Sequence, residues 1–197
     1  MDFSGDSWDE ALPELKGFMF DVDGTLVLGD RSGGGYQVLP GAVEVLTELN
    51  ARGIPFVLLT NGSAYPAAVQ APRLRDVGLP VEDWQMLTPS SVTADVLSRA
   101  GVRRALVLGS PGVGHPLQEA GIEIVDEAVD GNDAIVNAQR HRPDVALIDA
   151  AMPGISIFEA ARSILRCSPE TRILFLAVYD DEDCLRLAIE AGASGYL

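Results

Sequence analysis

Apolar residues in this chain fall into two alternating kinds of run. Short apolar stretches at 17–20, 54–59, 104–108, 143–149 and 171–178 read as buried strands. Between them, apolar positions recur at helical spacing. The stripes are Ala42, Val45, Leu46 and Leu49; Val92, Val96, Leu97 and Ala100; Ile157, Ala161, Ile164 and Leu165; and Cys184, Leu187, Ala188 and Ala191. A further helix is predicted over 67–77, interrupted at Pro72; 86–90 reads as a short strand and a helix start, 122–125 as a strand, and 192–197 begins a last short strand. The glycine-rich stretch 109–115 reads as a loop. Strands alternating with helices predict an α/β fold: mostly parallel buried strands with helices on both faces.

Two carboxylates close the first strand. Asp21 and Asp23 are two residues apart, so on a strand their side chains leave on the same side. Gly24 permits a sharp turn after them and Thr25 adds a hydroxyl. Hard oxygen donors at the carboxyl end of a buried strand suit Mg²⁺ and a phosphate ester. One Asp can attack phosphorus and the other can protonate the leaving group. The second strand ends in Thr60-Asn61-Gly62-Ser63, where a hydroxyl and backbone N–H groups can hold a phosphate oxygen. The bland alternatives are a turn pair of aspartates and an ordinary Thr-Asn-Gly turn. The 39-residue spacing from Asp21 to Thr60, filled by a loop and a helix, suits a right-handed βαβ crossover.

The stretch Asp-Val-Asp-Gly-Thr-Leu after an apolar strand, with Thr60 following, resembles the haloacid dehalogenase-like phosphohydrolases. Over about 14–127 it is similar to their p-nitrophenylphosphatase and NagD-type branch. That resemblance implies Asp21 as nucleophile and Mg²⁺ ligand. It implies Asp23 as general acid/base, lending its backbone carbonyl to the metal, and Thr60, Asn61 and Gly62 as phosphate binders. The implied substrate is a small phosphate ester.

Charge sharpens this picture. Against 29 acidic residues stand 14 basic ones, a net charge of −15, which argues against a nucleic-acid surface and makes Mg²⁺ more important to a phosphate substrate. Lys16 is the only lysine. It precedes the strand that Asp21 ends, roughly 15 Å of strand rise away, so it cannot bridge nucleophile and phosphate. The loop at 29–35 reads as a linker or as a flap over the site; it lacks the Gly-Lys-Ser/Thr of a P-loop. His115 reads as a loop histidine.

From about residue 128 the text changes. Arg-Pro-Asp-Val-Ala-Leu-Ile-Asp, Met-Pro-Gly and Ala-Gly-Ala-Ser-Gly-Tyr-Leu together resemble the receiver domain of response regulators. Asp149 takes the phospho-acceptor position. The implied acidic pair after the first strand is replaced by Gly109-Ser110, and the hydroxyl residue after the fourth by Ala177. The receiver lysine would lie beyond Leu197. Asp180, Asp181 and Asp183 loosely imitate the later acidic motif of the phosphohydrolases; the receiver resemblance accounts for them without catalysis.

With 197 residues, 47% of them hydrophobic, the chain holds one large α/β domain or two small ones. The expected division is a haloacid dehalogenase-like core portion over 1–100, with 1–15 a loose acidic leader in which Trp8 and Leu12 dock. A flavodoxin-like lobe over 101–197 follows, receiver-like from about 128. One continuous sheet is the competing arrangement. The switch between families near 121–127 makes the chain look like a chimera. No membrane span, secretory signal or cysteine framework is legible, since Cys167 and Cys184 have no metal spacing, and a cytoplasmic location is the default. A missing final helix would expose an apolar face and favour a homodimer. The expected activity is Mg²⁺-dependent phosphate monoester hydrolysis, weakened by the absent later motifs. The alternatives are a non-catalytic α/β chimera and a degenerate receiver.

Overall fold

The computed structural model describes residues 16–29, 35–62, 64–150, 152, 157–177 and 182–197. The expected leader, the centre of the glycine-rich loop (30–34), Asp180 and Asp181 lie outside these residues. The chain forms two compact units, one running up to Leu59 with Ala71–Met86, the other comprising Thr60–Gln70 and Leu87–Leu197.

The first unit opens with β1 (Phe18–Asp21), which pairs in parallel with β4 (Phe56–Leu59), Asp21 opposite Leu59. Between them lie an antiparallel pair, β2 (Val27–Gly29) and β3 (Tyr36–Val38), and helix α1 (Ala42–Ala51). A parallel pair needs such a crossover. The stripe read from sequence is the buried one: Ala42, Leu46 and Leu49 face inward. Leu46, Phe56 and Leu58 are fully enclosed, and each such side chain stabilises the fold by about 1.5–3 kcal/mol. Helix α2 (Ala67–Asp76) runs through Pro72 without a break. The proline removes the hydrogen bond to the carbonyl of Ala68, an exposed residue. A 3₁₀ turn (Asp83–Gln85) leads to β5 (Met86–Leu87), giving a three-stranded sheet in the order β1-β4-β5.

In the second unit α3 (Pro89–Arg99) is capped by Thr88, whose side chain accepts from Ser91 N while Ser91 Oγ reciprocates to Thr88 N. The remaining elements are β6 (Arg104–Leu108), α4 (Pro111–Glu119), β7 (Glu123–Ala128), α5 (Gly131–His141), β8 (Val145–Asp149), α6 (Ile157–Cys167), β9 (Arg172–Leu176), α7 (Glu182–Glu190) and β10 (Gly195–Tyr196). Their parallel sheet has the order β10-β9-β8-β6-β7. Counted along the chain this is 2-1-3-4-5, the flavodoxin-like order. All of β8 is buried, as a central strand with helices on both faces requires. Phe175, Ile148, Leu106 and Ile164 fill one side and Val107, Leu147, Val113 and Leu117 the other.

Two local expectations are corrected. Residues 111–115 are the first turns of α4, not a loop: Gly112, Val113 and Gly114 are buried because the helix lies close on the sheet. On α3 the inward face is Ser90, Thr93, Ala94 and Leu97, whereas Val92 and Val96 are 43% and 58% exposed. Ala94 and Leu97 pack with Val113 and Leu117 of α4, and small residues allow that approach where two valines would not.

Candidate active site

The first unit presents the carboxylates on a turn rather than along a strand. β1 stops at Asp21, and Val22 N–H still donates to Leu59 O at 3.1 Å. The chain then folds back: Leu26 N–H and Val27 N–H both donate to Val22 O, and Gly24 N–H donates to Val27 O at 2.7 Å. Gly24 has φ +86°, a conformation costly for any residue with a Cβ. Val22, Leu26 and Val27 are buried, which drives Asp21, Asp23 and Thr25 outward. The alternation expected of a strand is thus produced by a tight turn around Val22. Thr25 Oγ1 donates to Asp21 Oδ2 at 3.3 Å.

Asp23 points toward the β2–β3 pair. An ideal Cβ on Gly29 would lie 3.5 Å from Asp23 Oδ1 and 3.9 Å from Tyr36 Cε1. The guanidinium carbon of Arg73 stands 5.6 Å from the centroid of the Tyr36 ring. Burial first, and then the Asp23 carboxylate, push the Tyr36 phenol above its usual 10.0, while Arg73 pulls it down. Neither Tyr36 nor Arg73 was legible as a site residue, since they are 37 residues apart on unrelated elements. A cavity of about 330 Å³ in this unit lies at the other end of β1, lined by Phe18, Met19, Val57 and Trp84 among others, away from the carboxylates.

The other expected residues belong to the second unit. Thr60 is 2% exposed and donates its N–H to Leu87 O. Its Oγ1 accepts from Gly62 N at 3.1 Å, so the amide expected to serve an anion already has an acceptor. Gly62 O and Tyr65 O both accept from the buried Gln70 side chain, which fixes this turn. Asn61 is exposed. Asp149, 6% exposed, ends β8 against Gly109. Asp183 stands in the first turn of α7, where its Oδ1 accepts from Arg186 Nη2 at 2.9 Å. That is a surface i,i+3 ion pair and a helix-dipole contact, which explains the carboxylate without a metal. His115 pairs with Glu119 one helical turn on, at 3.5 Å. Among the described residues no group of three His, Cys, Asp or Glu side chains is placed to hold a metal ion.

This chain belongs to the haloacid dehalogenase-like hydrolases, whose family model matches residues 18–123. A model of the response regulator receiver domain matches residues 112–197, so both families describe 112–123. In structure the chain is similar to a 4-nitrophenylphosphatase from Thermotoga maritima, with a TM-score of 0.66 at 22% identity, covering 92% of this chain and 67% of that one. It is also similar to NagD from Escherichia coli K-12, with a TM-score of 0.55 at 22% identity, covering 92% of this chain and 86% of that one. At these identities the likeness is one of fold. In sequence, the transcriptional regulatory protein DegU of Brevibacillus brevis is 34% identical over 101 residues, 51% of this chain and 39% of that protein. The chain thus spans about two fifths of the length of that curated relative. No helix among the described residues is long and apolar enough to cross a membrane.

Proposed function

We propose that this chain is a Mg²⁺-dependent phosphohydrolase of small phosphate monoesters, with low turnover. The observation that carries the reading is the exposed Asp21/Asp23 pair on one tight turn at the carboxyl end of β1, in a chain of a hydrolase family. An Asp21 carboxylate oxygen attacks phosphorus and the ester P–O bond breaks. Asp23, as the carboxylic acid, gives its proton to the departing oxygen. Asp23, now a carboxylate, takes a proton from water; the resulting attack on phosphorus releases phosphate and regenerates Asp21. The Thr25 hydrogen bond to Oδ2 orients Asp21 and leaves Oδ1 for attack.

The donor set fits Mg²⁺ of the kind that keeps several waters and takes one or two carboxylates with the substrate phosphate. The Asp21 carboxylate and the Asp23 main-chain carbonyl would hold it. When bound, it supplies positive charge to the phosphoryl oxygens. A third acidic ligand is not in place among the described residues, and Lys16 precedes β1. Loss of one positioned charge stabiliser lowers turnover by roughly 10²–10³, which is why low turnover is expected.

The test is Mg²⁺-dependent hydrolysis of p-nitrophenyl phosphate by the wild type beside Asp21→Asn. Turnover lost in the variant supports the reading. Equal phosphate release by both refutes it and favours a non-catalytic chimera, the reading that the incomplete metal shell among the described residues supports.

A further inference from the structure

One edge of the second unit's sheet gathers arginines. Strands β6, β8 and β9 are neighbours and run parallel, so they start on the same edge; Val145 pairs with both Ala105 and Arg172. Helices α5 and α6 return to that edge, as crossovers between parallel strands must. Arg103 precedes β6, Arg172 opens β9, Arg140 and Arg142 end α5, and Arg166 stands in the last turn of α6. Hydrogen bonds tie these segments together. Asp144 Oδ2 accepts from Arg103 N and Arg104 N, each at 2.9 Å, and Asp144 O accepts from Arg172 N. Arg104 Nη1 donates to His141 O at 2.8 Å and to Arg142 O at 3.4 Å.

Arg103, Arg140, Arg142, Arg166 and Arg172 are all exposed, and their guanidinium groups make no hydrogen bond or ion pair among the described residues. In a chain with 29 acidic residues that sets them apart, because Arg52, Arg75, Arg99 and Arg186 each hold a carboxylate at 2.6 to 2.9 Å. The carboxylates nearest this edge are engaged elsewhere. Asp144 serves the main chain, Glu123 lies 3.7 Å from Arg104 Nε, and Asp126 lies 3.4 Å from His141 Nε2. Glu170 is exposed on the same edge and offsets part of its charge. A helix C-terminus suits a cation, which accounts in part for Arg140 and Arg166. Arg103 and Arg172 lead into strands and have no such role. Arg142 has φ +45°, a conformation that favours glycine, so its side chain is held at a conformational cost.

Guanidinium forks match carboxylates bidentately. We propose that this edge is a docking surface for a short acidic peptide segment of a partner protein, whose Asp and Glu carboxylates pair with Arg103, Arg140, Arg142, Arg166 and Arg172. The main chains of β6 and β9, two strands apart, are roughly 10 Å from each other. A short segment places its charge within such a span. A nucleic-acid backbone carries its charge well past it, into repulsion from a chain of net charge −15.

The experiment is fluorescence anisotropy of a short fluorescein-labelled peptide of glutamate and aspartate, titrated with the full chain at low and at near-physiological salt. Duplex DNA with the same label is the comparison. The edge variants are Arg103→Gln/Arg172→Gln, Arg140→Gln/Arg166→Gln and Arg142→Gly. The control is Arg52→Gln/Arg186→Gln, which removes equal charge from arginines that already hold carboxylates. Each variant is checked by its melting temperature. The wild type should bind the peptide, and salt should weaken binding. Each double variant of the edge should weaken it about fivefold or more relative to the control. Arg142→Gly should weaken it about twofold or more while melting no lower than the wild type, which separates a binding role from a structural one. Three results overturn the proposal: no peptide binding by the wild type at low salt, both edge doubles binding as tightly as the control, or duplex DNA bound more tightly than the peptide. The last would assign the edge to nucleic acid.

Discussion

Gly109 lies directly against Asp149. A Cβ added at 109 would stand 3.3 Å from the Asp149 Cβ and 2.9 Å from Val113 Cγ2. The position where a receiver carries an acid is here closed by packing between β6, α4 and β8. Gly109→Asp is therefore expected to destabilise the fold by about 1–3 kcal/mol, from overpacking plus a carboxylate pressed on the buried Asp149. Urea unfolding of the variant beside the wild type measures this. In neither protein should a small phosphodonor in Mg²⁺ label Asp149; a phosphoaspartate at that residue in the wild type would count against it.

Asp21→Asn removes the attacking oxygen's charge and should abolish Mg²⁺-dependent turnover. Asp23→Asn should lower it by about 10²–10⁴, the usual worth of a positioned acid/base. Thr25→Ala should cost less than about tenfold, because its hydrogen bond to Asp21 is long at 3.3 Å and exposed. A Thr25→Ala loss as large as that of Asp21→Asn would mean that the hydroxyl does more than orient Asp21. Initial rates of p-nitrophenol release rank the three.

The raised Tyr36 phenol makes stability depend on pH at the alkaline end. Its folded value exceeds the unfolded 10.0, so between the two the folded state holds more protons. This contribution is complete below about pH 10 and is lost as pH rises through the folded value. Tyr36→Phe should flatten that part of the stability curve. Denaturant midpoints at intervals from about pH 8 to 11.5 measure it, and identical slopes in the two proteins would refute the assignment.

Arg142 ends α5 with φ +45°, a left-handed conformation at a helix C-cap that favours glycine. Arg142→Gly should raise stability by about 0.5–1 kcal/mol. The Arg104 side chain donates to the main-chain carbonyls of His141 and Arg142, so those bonds survive the change. A melting temperature below that of the wild type would contradict the backbone account.

Thr93 is 3% exposed, and its hydroxyl has no hydrogen-bond partner among the described residues. Thr93→Val keeps the shape and removes a buried unsatisfied oxygen. Stabilisation by about 1 kcal/mol is expected, seen as a higher urea midpoint at unchanged slope.

The fold class was legible because period and run length are local properties. Buried central strands such as β8 must be apolar throughout, and the helices of a doubly covered sheet must carry one stripe. The errors lie where composition misleads. Val92 and Val96 looked like a core face, yet close helix packing selected the smaller Ser90, Thr93 and Ala94. Glycines at 112 and 114 looked like a loop, yet they are the contact surface of α4.

The α/β class, the two family signatures and the Asp21/Asp23 pair are legible in the residues alone, because each is written in positions only a few apart. Folding in space settles the rest: Asp23 and Tyr36 come close at Gly29, Arg73 lies over the Tyr36 ring, Gly62 N–H is taken by Thr60, and Val113 and Asp149 close position 109. The physical reason is the same in each case. Whether a polar group is available to a ligand depends on what packs against it, and its neighbours come from elements whose spacing along the chain carries no record of their distance in space.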